Sequence, residues 1–204
     1  MHRNHEEKEV KFYLSDLPSL EKRLRALGAE CIQPRTHEFN LRFDTPQRKL
    51  SQSSQVLRLR KDVHSLLTYK GPADPNSEVA ARRELEVGVS NFEETRVILE
   101  ALGYRVFIQY EKYRTTYHLG KTEVVLDEMP FGNFMEIEGP DSTTIKKTAE
   151  KLKLNWQAHS KLSYLALFEI LRMNLKLTVK NILFKEFNQN KYSAKDFGLI
   201  ASEI

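Results

Sequence analysis

Cysteine is nearly absent: Cys31 stands alone in 204 residues. No intrachain disulfide can therefore form, and no cluster of thiolates can hold a metal. Between Ala29 and Ile32 this thiol is expected to be buried and inert. No Gly-x-Gly-x-x-Gly and no P-loop occurs, which excludes a phosphate cradled by a glycine turn. The histidines (His2, His5, His37, His64, His118 and His159) are scattered without metalloprotease spacing. The longest apolar stretch, Leu162 to Val179, is broken by Glu169, Arg172, Asn174 and Lys176, which argues against a membrane span. Residues Met1 to Glu7 lack the apolar core of a signal peptide, so a cytoplasmic protein with no membrane partner is expected. Charge of one sign is also lacking: Lys+Arg 32 against Asp+Glu 28 leaves a net +4. A nucleic-acid protein usually shows a concentrated basic stripe; with the signs so nearly balanced, no nucleic-acid partner is expected. A hydrophobic fraction of 40% and an aromatic fraction of 10% exclude wholesale disorder.

Most of the chain reads as strands punctuated by helices. A helix capped by Ser15 or Asp16 carries Leu17, Leu20, Leu24 and Leu27 at helical spacing and stops at Gly28. Ser90 with Glu93 forms a capping-box pattern for a second helix that ends at Gly103. A third helix starts at Asp141 or Ser142 and runs through Leu154; a fourth covers 161–175. Strands are expected at 7–14, 38–44, 56–61, 66–70, 82–89, 104–109, 112–119, 122–127 and 134–138, with Gly71 to Ser77 as a loop. Trp156, Tyr113 and Tyr117 read as packing residues. The domain is set at 1–174, followed by a tail, 175–204, of unassigned structure.

What alternates within the strands is informative. Side chains two apart share a face. Glu7, Glu9 and Lys11 therefore lie together, as do Arg58 with Arg60, Thr68 with Lys70, Arg82 with Glu84 and Glu86, Lys112 with Arg114, and Glu136 with Glu138. The opposite faces carry Val10, Phe12, Leu57, Leu59, Leu67, Tyr69, Leu85 and Val87. A single strand of this kind is ordinary for a sheet with one wet face. Across the set, however, acidic pairs and basic pairs segregate by strand, and Ser, Asn and Gln hardly dilute them. Closing such a sheet with its charged face inward would give a cavity lined by both signs. Carboxylate pairs suit Mg2+ or Mn2+, whereas Arg and Lys suit phosphate oxygens. A polyanion with its divalent cation is the natural guest, because neither charge set alone could be buried cheaply.

Ordered blocks then carry a resemblance. Glu7-Lys8-Glu9-Val10-Lys11 matches a Glu-x-Glu-x-Lys signature. It is followed by Phe43-Asp44-Thr45-Pro46, Leu57-Arg58-Leu59-Arg60, Leu67 to Pro72, Arg82 to Val87, Glu111 to Arg114, Val125-Leu126-Asp127, Gly132 to Glu138 and Ser163-Tyr164-Leu165. In these the chain resembles the CYTH superfamily, the triphosphate tunnel metalloenzymes, and within it the group named after class IV adenylate cyclase. The resemblance implies an α+β, mainly antiparallel fold: a closed eight-stranded β-barrel forming a tunnel, with helices packed outside. It also implies divalent metal at Glu7, Glu9, Glu136 and Glu138, with Glu84 and Asp127 as nearby or second-site ligands. Lys11, Arg58, Arg60, Lys70, Arg82, Lys112 and Arg114 would bind the triphosphate. One position departs from the pattern. Triphosphatases of the superfamily commonly carry a Tyr where this chain has Arg42, paired with the signature Lys11 to activate water; Asn40 stands where an Asp is common. Arg42 is expected to grip phosphate instead.

Three functions stay open on these residues. One is cyclisation of ATP to cyclic AMP and pyrophosphate, towards which Arg42 and the nearest group tilt the reading. The second is hydrolysis of the terminal phosphate of thiamine triphosphate, inorganic triphosphate or a nucleotide. The third is non-catalytic binding of polyphosphate or a nucleotide. The partner expected is thus a small-molecule triphosphate, with a homodimer left open.

Overall fold

The computed structural model describes residues 6–187 and 192–202; His2 and His5 lie outside them. Strands β1 (Glu6–Leu14), β2 (Glu30–Asp44), β3 (Val56–Lys61), β4 (Ser65–Ala73), β5 (Ala80–Val89), β6 (Arg105–Leu119), β7 (Thr122–Met129) and β8 (Gly132–Glu138) form a closed barrel. Its order is β1-β5-β4-β3-β2-β6-β7-β8, and every neighbouring pair is antiparallel. Outside it pack α1 (Leu17–Ala26), the short α2 (Lys49–Gln52), α3 (Phe92–Ala101), α4 (Ser142–Lys151) and α5 (Tyr164–Leu175). Among the described residues no helix is long and apolar enough to cross a membrane.

The sheet's apolar face points outward, so much of the hydrophobic core lies between barrel and helices. Val10, Phe12, Val124, Leu126, Met135 and Ile137 meet Leu20 and Leu24 of α1 and Ile145 and Ala149 of α4. Leu41, Phe43 and Leu59 meet Phe92 and Leu99 of α3. This follows from the period-two pattern: one face of each strand is buried by a helix, leaving the charged face to the interior. The Ala-Leu-Gly endings of α1 and α3 place Gly28 at φ 78 and Gly103 at φ 91, a backbone region where a Cβ is strained.

Several local expectations change. The cap of α3 is Asn91, whose side chain accepts from Glu94 N at 3.0 Å; Ser90 lies one residue too early to reach those amides. The expected strands 104–109 and 112–119 are one continuous β6, because Tyr110 and Glu111 stay in register with β2. Strand β2 begins at Glu30; its first half bends through register shifts around Gln33 and Pro34, and that irregularity hides the alternation. Strand β4 runs to Ala73, into the expected loop, and α5 starts at Tyr164 behind the cap Ser163. Cys31 is exposed, not buried: it lies in that irregular stretch, which no helix covers.

The described part of the tail is packed against the barrel. Residues 181–184 lie along β6 beyond the point where β7 ends its pairing at Tyr113. Ile182 N donates to Gln109 O and Glu111 N to Ile182 O, each at 2.9 Å, and Phe184 N donates to Glu111 Oε1 at 2.6 Å. Further on, Phe197 is buried against Tyr13, Phe131 and Phe134.

Candidate active site

Inside the barrel lies a cavity of about 370 Å³. Lys11, Arg42, Arg58, Arg60, Lys70, Arg82, Lys112, Arg114, Glu7, Glu9, Glu84, Glu136 and Glu138 all line it. Asp127 does not: it is fully buried in the wall behind, where it accepts from Lys112 at 2.9 Å, from Arg114 at 2.7 and 2.5 Å and from Tyr164 at 2.7 Å. In this arrangement Asp127 positions two cations for the cavity. Tyr164 stays a neutral phenol, because burial and Asp127 both hold its proton on.

The lining divides by sign along the barrel. At one end Glu9, Glu138 and Glu123 stand directly opposite one another across β1, β8 and β7. Like charges so placed repel. The Glu138 carboxyl is accordingly pushed up to about 8, by burial first and then by Glu7, Glu123 and Glu9. Glu7 has a cation of its own, accepting from Lys70 at 2.6 and 2.7 Å, and Glu9 accepts from Lys11. Glu136, deeper in, lies 3.2 Å from Lys11 and 2.6 Å from Arg114. Burial opposes its charge, but Lys11 and Arg114 outweigh burial and hold it well below the usual carboxylate range. Burial likewise opposes the charge on Lys11, and Glu136 and Glu9 more than restore it.

The opposite half of the lining is mainly cationic, with Glu86 lying 3.7 Å from Arg58 and 4.0 Å from Arg60. Arg58 lies 3.3 Å from Thr68 and 3.5 Å from the Tyr110 phenol. Glu38 lies beneath, 3.6 Å from Lys112, 3.8 Å from Arg114 and 3.6 Å from Arg60. Burial would raise it, yet those cations hold it down to about 2. Arg42 differs from its neighbours. It makes no hydrogen bond or ion pair among the described residues; its buried Nε makes no hydrogen bond, and neither does that of Arg58, whereas Arg60 Nε lies 3.3 Å from Asp62. Burial pushes its guanidinium down to about 10, with Arg58 and Arg82 adding to the effect against the phenol of Tyr110. It therefore stays charged at neutral pH and can serve only as a donor. A cation buried like Arg42 without an ion pair is costly unless an anion joins it.

The donor set also suits a divalent cation. The acidic end offers hard carboxylate oxygens, and Glu138 there is crowded by negative charge and forms no ion pair among the described residues. Among the described residues no three His, Cys, Asp or Glu side chains converge into a finished ligand cage. Mg2+ is commonly held that way, by one or two carboxylates with water and substrate phosphate completing the shell. Glu7, Glu9 and Glu138, with Glu84 and Glu136 beside them, are the residues that fit.

The sequence reading of the site missed Glu38, Glu123, Tyr110, Leu165 and Ile182. Glu38, Asn40 and Arg42 repeat the period-two charge signal on β2, so Glu38 was findable. Glu123 was findable in the same way, two residues before Val125 on the inner face of β7. Leu165 and Ile182 carry no such signal, since they reach the cavity from outside the strands.

Comparison with known proteins fits this architecture. The family model for the CYTH domain matches residues 5–166. The chain belongs to the CYTH domain family. A Methanocaldococcus jannaschii protein named "Putative adenylate cyclase MJ0240" is 30% identical over 135 residues, 65% of this chain and 75% of that one. The adenylate cyclase CyaB of Aeromonas hydrophila is 29% identical over 135 residues, 64% of this chain and 67% of its own length. The solved structure of a Vibrio parahaemolyticus protein superposes with a TM-score of 0.71 at 23% identity, covering 80% of this chain and 97% of that one. That last likeness is one of fold.

Proposed function

We propose that this CYTH protein is a Mg2+- or Mn2+-dependent enzyme acting on a triphosphate, and that its reaction is cyclisation of ATP. The observation that carries the reading is the barrel cavity in which a crowded carboxylate end faces a guanidinium end with unpartnered donors. A triphosphate with its divalent cation neutralises both at once. The metal, held by Glu7, Glu9 and Glu138, would supply positive charge to the phosphate oxygens as negative charge builds on them. Arg42, Arg58, Arg60, Lys112 and Arg114 donate to the remaining oxygens, and Glu136 and Asp127 keep Lys11, Lys112 and Arg114 aimed inward. Lys70 and Arg82 complete the cationic wall. In the reaction the ribose 3′ oxygen bonds to the α-phosphorus and the α–β anhydride breaks. Pyrophosphate leaves, and the hydroxyl proton passes to solvent. Arg42 favours this over water activation, because a guanidinium cannot take a proton from water. The cyclase names of the two sequence relatives point the same way.

One observation favours a hydrolase. The Tyr110 phenol lies in the cavity, and although burial opposes its ionisation, Arg58 and Lys112 draw its pKa below the usual value. A phenolate there could accept a proton from water attacking the terminal phosphate of thiamine triphosphate or inorganic triphosphate. Incubating the protein with ATP, thiamine triphosphate and inorganic triphosphate, each with Mg2+ or Mn2+, and identifying the products separates the readings. Cyclic AMP with pyrophosphate is expected. Orthophosphate without cyclic nucleotide would replace cyclase by hydrolase, and no turnover with binding retained would overturn both.

A further inference from the structure

The family match ends at residue 166, yet the cavity does not. Ile182, from the tail, lines it together with Leu165 of α5. Three features put Ile182 there. β7 stops pairing with β6 at Tyr113, which leaves the backbone of Gln109 and Glu111 with a free edge. Residues 181–184 then satisfy that edge, with Asn181 Oδ1 accepting from Gln109 N at 3.1 Å in addition to the bonds already described. Finally, Ile182 is almost solvent-free and belongs to one apolar cluster with Ile108, to which Tyr110 and Leu165 are packed.

The barrel's inner face therefore changes character along its length. On β6 the inward residues run Arg114, Lys112, Tyr110, Ile108. On β8 they run Glu138, Glu136, Phe134, and Phe134 already packs in the same cluster as Ile182. Val56 lines the cavity on β3, two residues before Arg58. Arg42, without a hydrogen bond or ion pair among the described residues, stands opposite Ile108 in the β2–β6 register, so the apolar end begins where the cationic wall ends. A bare phosphate chain has no use for such a surface. Its charged oxygens would lose hydration against Ile108, Leu165 and Ile182 without gaining donors. An uncharged organic group joined to the α-phosphate would bury the half-open Leu165 and Val56 there, with Ile182 and Ile108 as the closed floor behind them, while Arg42 and Arg58 hold that phosphate.

We propose that Ile182, carried on the tail segment 181–184, completes a subsite for the organic group of a triphosphate ester and makes the enzyme prefer such esters over inorganic triphosphate. This rests on the triphosphate reading above and names the substrate class within it. The tail is then part of the site, and a chain cut after α5 would lack one wall of it.

Titration calorimetry with Mg2+ present tests this using a nonhydrolysable ATP analogue, thiamine triphosphate at low temperature, and inorganic tripolyphosphate. The wild-type protein is expected to bind at least one of the two esters more tightly than tripolyphosphate. Ile182→Ala should weaken that ester by roughly tenfold and leave tripolyphosphate unchanged, since lost apolar contact in a pocket has this size. Ile182→Leu should restore ester binding. Equal weakening of ester and tripolyphosphate by Ile182→Ala would show a merely structural role and overturn the subsite. So would a wild-type protein that binds tripolyphosphate as tightly as either ester. Binding of none of the three would instead remove the triphosphate reading itself, and the subsite with it.

Discussion

Glu138 faces Glu9 on one side and Glu123 on the other, with no ion pair among the described residues, and its carboxyl is pushed up from about 4.5 to about 8. Its folded-state value is raised, so the folded protein holds this proton over a range in which the unfolded chain has lost it. The stability of the metal-free protein therefore falls as pH rises from about 4.5 towards about 8, and levels off above. Glu138→Gln removes that term. It is expected to raise the melting temperature of the metal-free protein above about pH 8 and to leave it unchanged below about 4.5. A gain of the same size at both ends would show that the carboxyl is not crowded by charge. Glu38 is the converse case: a carboxylate held near 2 whose stabilisation, present above 4.5, is lost only as pH falls towards its folded value.

At the scale of elements, the alternating charges on β1, β3, β5 and β8 were legible because a strand shows its faces two residues at a time. What stayed hidden was whatever broke that period or came from elsewhere. The first half of β2 bends through its register shifts. Asp127 keeps strand parity with the lining residues, but pairing with Lys112 and Arg114 draws its carboxylate into the wall. Periodicity cannot foresee that. The tail reads as mixed sequence because its contribution to a cluster built by α5 and the barrel end is scattered: Ile182 and Phe197 are buried there, with Leu177, Val179, Phe187 and Leu199 packed beside them at no regular spacing. Phe197 is 1% exposed amid aromatic rings. Phe197→Ala is expected to cost about 3 kcal/mol in urea denaturation, from lost burial and the cavity it leaves. A cost below about 1 kcal/mol, within the range of an ordinary surface change, would mean that the tail does not hold to the barrel end in solution.

For the whole molecule, an inside-out barrel explains how a chain of nearly balanced charge can bury so many ionisable groups. The helices take the sheet's apolar face, and the charged face closes on itself, cation against carboxylate. Residual imbalance remains at two places, the Glu9–Glu138–Glu123 row and Arg42, which has no hydrogen bond or ion pair among the described residues. On the proposed reading, a polyanion and a divalent cation entering together would relieve both. The most direct test is the affinity of a nonhydrolysable ATP analogue measured with Mn2+ and again with excess chelator. Binding should be at least about tenfold tighter with the metal, a difference of about 1.4 kcal/mol, and Glu138→Gln should erase most of that difference. Equal affinity with and without metal would contradict the account, because the acidic end would then play no part in holding the guest.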